Sequence, residues 1–171
     1  RVTELMYEPT GGINLEFVEL VNTGNTPLNL DGVSFDGGDP FDAFTFSALT
    51  LDPDEHAVLV ADTATFQAEY GGAVRIMGEW TGGSLSNSGE KIVLRDDAGN
   101  IIHDFNYDTV APWPVTPAGQ GPSLEVIDIE GDYNDPANWR ASAVVGGTPG
   151  AGVLLDTDGD GLSDTDEALA G

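Results

Sequence analysis

The chain has 171 residues, of which 40% are hydrophobic, so it can form one packed domain with a short tail. It carries 30 acids against 5 bases, a formal charge of −25, which excludes nucleic-acid binding through clustered bases and disfavours anionic membrane surfaces. Cysteine is absent, which excludes a disulfide framework, a thiolate metal site and a cysteine nucleophile.

Short apolar runs separated by turn residues predict strands along the first part of the chain. The predicted strands cover residues 2–7, 15–22, 28–30, 33–35, 44–46 and 56–61. One helix is predicted at residues 62–70, because Asp62 can cap its first turn and Gly71 can end it. Phe66 and Tyr70 are four residues apart and therefore share one face of this helix.

Strands are also predicted at residues 74–76, 91–95, 101–107 and 123–128. The second and third form a hairpin around residues 96–100, and the last one closes the series. Many short strands with few helices predict an all-β sandwich. We expect the sandwich to cover residues 1–150, and residues 151–171 to form a linker and a metal-binding loop.

The C-terminal residues 156–167 match a twelve-residue calcium-loop pattern, with carboxylates at positions 1, 3, 5, 9 and 12. Gly161 at position 6 permits the sharp turn that such a loop needs. The pattern predicts a Ca²⁺ site whose ligands are Asp156, Asp158, Asp160, the Leu162 carbonyl, Asp164 and Glu167. The alternative is a solvated acidic tail that fits the pattern by chance.

A paired EF-hand is disfavoured, because the glycine- and proline-rich residues 146–152 cannot form an entering helix. The loop resembles instead the thrombospondin type 3 or dockerin-type loops of secreted proteins, which often occur in tandem. Only one copy is present, so we expect that the chain is truncated and that further repeats followed it. A dockerin-like tail that recruits a partner is a second hypothesis, and it requires a second loop.

A set of motifs spread along the sandwich resembles the lamin tail domain in its bacterial secreted form. The motifs are EFVELVNTG (16–24), LNLDG (28–32), WTGGSLSNSGE (80–90), PWP (112–114), GPSLE (121–125), DPANWR (135–140) and GTPG (147–150). The resemblance implies an immunoglobulin-like β-sandwich without catalytic activity. Such a domain serves protein interaction and assembly in nuclear lamins, and bacterial relatives occur in secreted or surface proteins. This chain lacks a coiled-coil rod and a basic surface, so filament assembly and DNA binding are not carried over.

The expected function is that of a non-catalytic structural or protein-interaction module in a larger secreted or cell-surface protein. We expect a monomer without membrane insertion, whose partner is an unidentified protein or glycan, and whose loop is stiffened by Ca²⁺. The alternative is a carbohydrate-binding or adhesion module accessory to a secreted enzyme. That alternative needs exposed aromatic side chains, and the candidates are Trp80, Tyr107, Trp113 and Tyr133.

Other polar residues are interpreted as structural. His56 and His103 are expected on strand surfaces rather than in a catalytic site, since a base also needs a nucleophile and an orienting group within reach. Asn138 is expected to bond to the backbone of the turn at Asp135 and Pro136. The acid-rich loops 36–42 and 128–135 are candidates for a second cation site, and solvated loops are the alternative.

Overall fold

The computed structural model describes residues 1–36, 40 and 44–151. In chain order the strands and helices are β1 (Val2–Met6), a 3₁₀ turn (Ile13–Leu15), β2 (Phe17–Val21), β3 (Leu28–Asn29), β4 (Ser34–Asp36), β5 (Thr50–Leu51), β6 (His56–Val60), α1 (Thr63–Tyr70), β7 (Ile76–Glu79), β8 (Glu90–Arg95), β9 (Ile101–Tyr107), β10 (Pro122–Val126), a second 3₁₀ turn (Pro136–Asn138) and β11 (Trp139–Val145).

The strands form a large sheet and two small ones. The large sheet has the order β11-β10-β1-β2-β6-β7, and the second layer has the order β4-β8-β9. A short β3–β5 pair completes the arrangement. All pairings in the large sheet are antiparallel except β6–β7, whose parallel pairing is made possible by the crossover helix α1. The fold is the expected immunoglobulin-like β-sandwich with one short helix in the described residues.

The inner face of the six-stranded sheet packs against the second layer. Alternate residues of β1, β2 and β6 contribute Leu5, Val18 and Leu59, and the second layer contributes Ile92 and Phe105. Aromatic rings extend this core, with Tyr7 and Tyr107 stacked at a centroid distance of 5.1 Å. The inner core is therefore one continuous apolar cluster, as a sandwich requires.

The outer face of the same sheet is partly covered by α1. The Asp62 side chain accepts the Thr65 N–H at 2.7 Å, and Gly71 ends the helix with a positive φ of 80°, so the predicted helix and both of its end signals are confirmed. Between the helix and the sheet lies a second, smaller cluster, to which the helix contributes Phe66. Its buried members are Met6, Phe17, Val58, Val60 and Phe66.

Several details of the predicted strands were wrong. The strand predicted at residues 44–46 is only an isolated bridge between Thr45 and Ser34. The strand predicted at residues 74–76 begins instead at Ile76 and continues to Glu79. The short strand β5 was missed, because two residues carry too little periodicity. The series does not close at β10, since β11 follows and pairs with it. The last three residues of β11 are all exposed at the edge of the sheet, so the strand lacks the alternation that would have indicated it.

Candidate functional site

The predicted calcium ligands lie outside the described residues. They are Asp156, Asp158, Asp160, Leu162, Asp164 and Glu167, and the description of the chain ends at Ala151. What the structure does describe is the segment that leads to this loop. We call residues 146–151 the strap, because they run across the outer face of the six-stranded sheet.

The strap lies over a row of three carboxylates on neighbouring strands. Glu4 on β1 is in register with Glu125 on β10 and with Glu19 on β2, so the three side chains stand side by side. Their residues are only 2%, 7% and 1% exposed, respectively. Buried carboxylates require hydrogen-bond donors, and a large part of these comes from the strap.

The strap satisfies each carboxylate in turn. The Thr148 N–H donates to Glu4 Oε1 at 2.9 Å, and the Thr148 hydroxyl donates to Glu125 Oε1 at 3.0 Å. Two residues later the Gly150 N–H donates to Glu19 Oε2 at 2.5 Å. Each of these hydrogen bonds satisfies a carboxyl group that would be costly to bury without a partner. The sequence GTPG therefore forms a fitted cover rather than an ordinary loop.

Glycine is required where the strap approaches the sheet most closely. Gly147 has a φ of 80°, and a Cβ at this position would clash with Glu4 Oε1 and with the Ser123 side chain. At the start of the strap, the Tyr70 hydroxyl at the end of α1 donates to the Gly146 carbonyl at 2.7 Å. Helix, strap and sheet are thus joined by hydrogen bonds at one place.

The electrostatics of the row are uneven. Burial, together with the nearby Glu19 and Glu125, raises the pKa of Glu4 to about 8, and hydrogen bonds from Ser123 and the Thr148 N–H oppose the rise. Glu4 is therefore protonated at neutral pH. Glu125 has a cationic partner, since Arg140 Nε donates to its Oε2 at 3.0 Å. Keeping Glu4 uncharged reduces the repulsion that three adjacent carboxylates would otherwise exert.

At the β2 end of the row, Glu19 forms hydrogen bonds with a histidine and a threonine. His56 Nδ1 lies 3.0 Å from Glu19 Oε1, and the Thr3 hydroxyl donates to the same oxygen at 2.7 Å. Both faces of β2 are buried, because α1 covers Phe17 and the strap covers Glu19.

The two histidines do not form a catalytic pair. His103 accepts a hydrogen bond from the Val2 N–H at 3.4 Å, and its ring packs at 4.5 Å from that of Tyr133. Burial lowers the pKa of His103 to about 3, so the ring is neutral at physiological pH. The expected position on the strand surface is wrong for His103, which is buried, and His56 is half-buried against Glu19.

The acid-rich loop at residues 128–135 uses its carboxylates to hold turns. Asp128, Asp132 and Asp135 each accept a backbone N–H two residues further along the chain, at 2.8–2.9 Å. Asn138 bonds to backbone as expected, but its partners are the N–H and carbonyl of Asp128. No group of three metal-ligating side chains is found in residues 1–36, 40 and 44–151. The other candidate loop, 36–42, lies mostly outside the described residues.

The aromatic side chains named as possible sugar platforms are mainly part of the core. Trp80, Tyr107 and Tyr133 are buried, and the Tyr133 hydroxyl donates to the Val2 carbonyl at 2.7 Å. Trp113 is half-buried, with its ring 5.9 Å from that of Trp139. These four residues do not present an exposed coplanar pair of rings.

The fold is that of an immunoglobulin-like module. The lamin tail domain family matches residues 1–109, which is more than half of the chain, and the chain belongs to this family. The match ends after β9. Strands β10 and β11 lie beyond it, and they belong to the six-stranded sheet through the pairing of β10 with β1. No curated protein matches the chain. No helix in the described part is long and apolar enough to cross a membrane.

Proposed function

We propose that the chain is a non-catalytic interaction module of a larger secreted or cell-surface protein, with a Ca²⁺-binding loop mounted on its C-terminal end. The observation that supports this most directly is the strap over Glu4, Glu19 and Glu125. It holds the chain to the sandwich up to Gly150, six residues before the first predicted ligand, Asp156. A loop attached in this way has a fixed starting point.

The proposed role of the metal is local ordering. The predicted ligands include five carboxylates within twelve residues, and these repel one another when no cation is present. Ca²⁺ would neutralise the repulsion and order a segment that is otherwise mostly turn. Because the strap is already fixed, this ordering would define the direction in which the following part of the protein leaves the sandwich.

The proposed extracellular location of the protein follows from the concentration of free calcium that a weak site requires. Extracellular modules often bind calcium with dissociation constants of about 10⁻⁴–10⁻³ M, which is useful only where free calcium is abundant. A single loop without a paired partner belongs in that weak range. Secretion or display on a cell surface is therefore part of the proposal, and so is a protein partner outside the cell.

The proposed absence of catalysis in this chain rests on the family and on the histidines. Lamin tail domains are non-catalytic modules of the immunoglobulin type. His103 is held neutral in the core, and His56 is engaged with Glu19. Any enzymatic activity of the larger protein would then belong to other domains.

Calorimetric titration with CaCl₂ tests the proposal. The intact chain is expected to bind one Ca²⁺, and the Asp156→Ala/Glu167→Ala variant none, because both ends of the ligand set are lost. The matched control is Asp52→Ala/Glu69→Ala, which removes the same charge from exposed sites outside the loop. In the absence of calcium all three proteins should melt at nearly the same temperature. No binding by the intact chain, or equal loss in the control, would contradict the proposal.

A further inference from the structure

A cavity of about 330 Å³ opens at one end of the sandwich, and its lining contains no residue of the strap. It lies where β2 and β8 end and β9 begins, beside the β3–β5 pair. Ligand pockets have volumes of about 300–1,000 Å³, so this one is at the small end and has room for one or two side chains. The residues that make its floor are buried and aliphatic. They are Leu20, Leu30, Val33, Leu51 and Leu94.

Two large apolar side chains at the mouth of the cavity are exposed to solvent. Leu28 is 46% exposed and Ile102 is 39% exposed, and both line the cavity. An apolar floor with apolar residues at its entrance favours a ligand that can displace water from both. This combination of enclosed floor and exposed entrance indicates a binding site rather than a packing defect.

The polar part of the rim is acidic. Asp31, Asp96 and Asp97 line the cavity, and the one base there, Arg1, forms an ion pair with Glu130 at 3.3 Å. Asp96 is ionised, because hydrogen bonds from Asn100 and from the N–H groups of its own turn keep the pKa of Asp96 below its usual range. The rim therefore presents net negative charge beside an apolar floor.

The rim is also held in place. Asp96 accepts hydrogen bonds from the Ala98 N–H at 3.0 Å and from the Asn100 N–H at 2.7 Å. This turn packs against the turn at Gly32, where a Cβ would lie 2.9 Å from the Asp97 Cβ. A preorganised rim loses little conformational entropy when it binds a ligand.

We propose that this cavity docks a segment of a partner protein that presents one large aliphatic side chain next to a lysine or arginine. The aliphatic side chain fills the space above Leu30 and Leu94, and the cation is held by Asp31 and Asp97. Charge complementarity supports this occupant, because acidic rims attract cations and exclude other acids. The proposal rests on the interaction role proposed above and names the chemistry of the partner.

Two other occupants are disfavoured by charge. The C-terminal residues 152–171 contain apolar residues at 153–155 but carry no lysine or arginine. A second copy of the chain brings another formal charge of −25, and its five bases are scattered. A cationic partner segment supplies the base that residues 152–171 lack, and it does not bring the negative charge of a second copy.

Methyl-resolved NMR of the whole chain tests the proposal with blocked pentapeptides as probes. A peptide with leucine between two arginines is expected to shift the methyl signals of Leu30 and Leu94. Two matched peptides serve as controls, one with glutamates in place of the arginines and one with alanine in place of leucine, and neither should shift them. Equal shifts with the glutamate peptide, or none with the arginine peptide, would overturn the proposal. Shifts that depend on protein concentration alone would overturn it in favour of self-association.

Variants test separately the contribution of the acidic rim and that of the apolar contact. Asp31→Asn and Asp97→Asn should each weaken binding of the arginine peptide about two- to fivefold, while the distant Glu69→Gln should leave it unchanged. Ile102→Thr should weaken it about fourfold or more through lost apolar contact. Its neighbour Ile101→Thr, 55% exposed and outside the cavity lining, is the matched control. Equal effects of the two isoleucine variants would reject the site. Because calcium binding is measured separately, failure here leaves the proposed calcium loop intact.

Discussion

The inner face of the six-stranded sheet is covered by apolar side chains of the second layer, whereas the outer face is covered by a helix and by the strap. Packing on the inner face depends on shape and hydrophobicity, so many residues contribute and most could be replaced by apolar residues of similar volume. The outer cover depends on particular atoms, since three buried carboxylates must each find a donor. The two faces should therefore respond to different kinds of change.

Truncation in the inner core should have the largest effect on stability. Phe105 is buried among His103, Tyr133 and Trp139, and Phe105→Ala should cost about 3–5 kcal/mol of the free energy of unfolding. The same change at Phe66, the buried residue of α1, should cost less, because only the small outer cluster loses contacts. Urea denaturation measures both. A larger loss at Phe66 would mean that the outer cluster is the main core.

The second prediction concerns pH and acts only on the outer face. In the folded chain the pKa of Glu4 is about 8, whereas an unfolded glutamate has a value near 4.5. Between these values the folded state keeps a proton that the unfolded state has released, so Glu4 makes stability fall as pH rises through this window and level off above it. Glu4→Gln, which mimics the protonated acid, should remove this contribution.

The comparison of Glu4→Gln with the parent chain isolates this effect. His103, whose folded pKa is about 3, and the terminal amine, whose folded pKa is about 6, make stability rise with pH in overlapping windows. Both contributions are common to the two proteins and cancel in the difference. From about pH 5 to pH 8 the variant should gain on the order of 3 kcal/mol relative to the parent, measured by urea denaturation. A constant difference would mean that Glu4 is ionised in the fold.

Several strands and the helix could be predicted from the sequence because their signals are local. The buried strand β6, the hairpin of β8 and β9, and the helix between Asp62 and Gly71 all have periodicity or end signals within a few residues. Edge strand β11 and short β5 have neither, and their positions depend on pairing with distant partners. The motifs DPANWR and GTPG lie at the start of β11 and in the strap, beyond residues 1–109 that the family matches, and they did not indicate the strand.

The row of carboxylates on the outer face could not be predicted in the same way. Glu4, Glu19 and Glu125 are separated by many residues, and in sequence each resembles an ordinary solvent-facing acid of an alternating strand. Their burial follows from a register across three strands and from a strap that returns from residue 146. His103 was misplaced for a similar reason, because its hydrogen-bond donor, Val2, is 101 residues away. The calcium ligands remain a prediction from spacing alone.

The smallest of these effects should come from a single methyl group in the strap. Gly147→Ala places a Cβ against Glu4 Oε1 at a φ of 80°, so the strap must lift, and the loss should be about 1–3 kcal/mol. Gly146→Ala is the matched control, since it has a φ of 93° but meets only the Tyr70 ring at ordinary contact distance. Hydrogen exchange distinguishes lifting from general destabilisation, because the Thr148 and Gly150 N–H groups should lose protection in Gly147→Ala while those of β8 and β9 keep theirs. Equal losses in the two variants would show that strain at a positive φ, and not the fit over the carboxylates, accounts for the requirement for glycine.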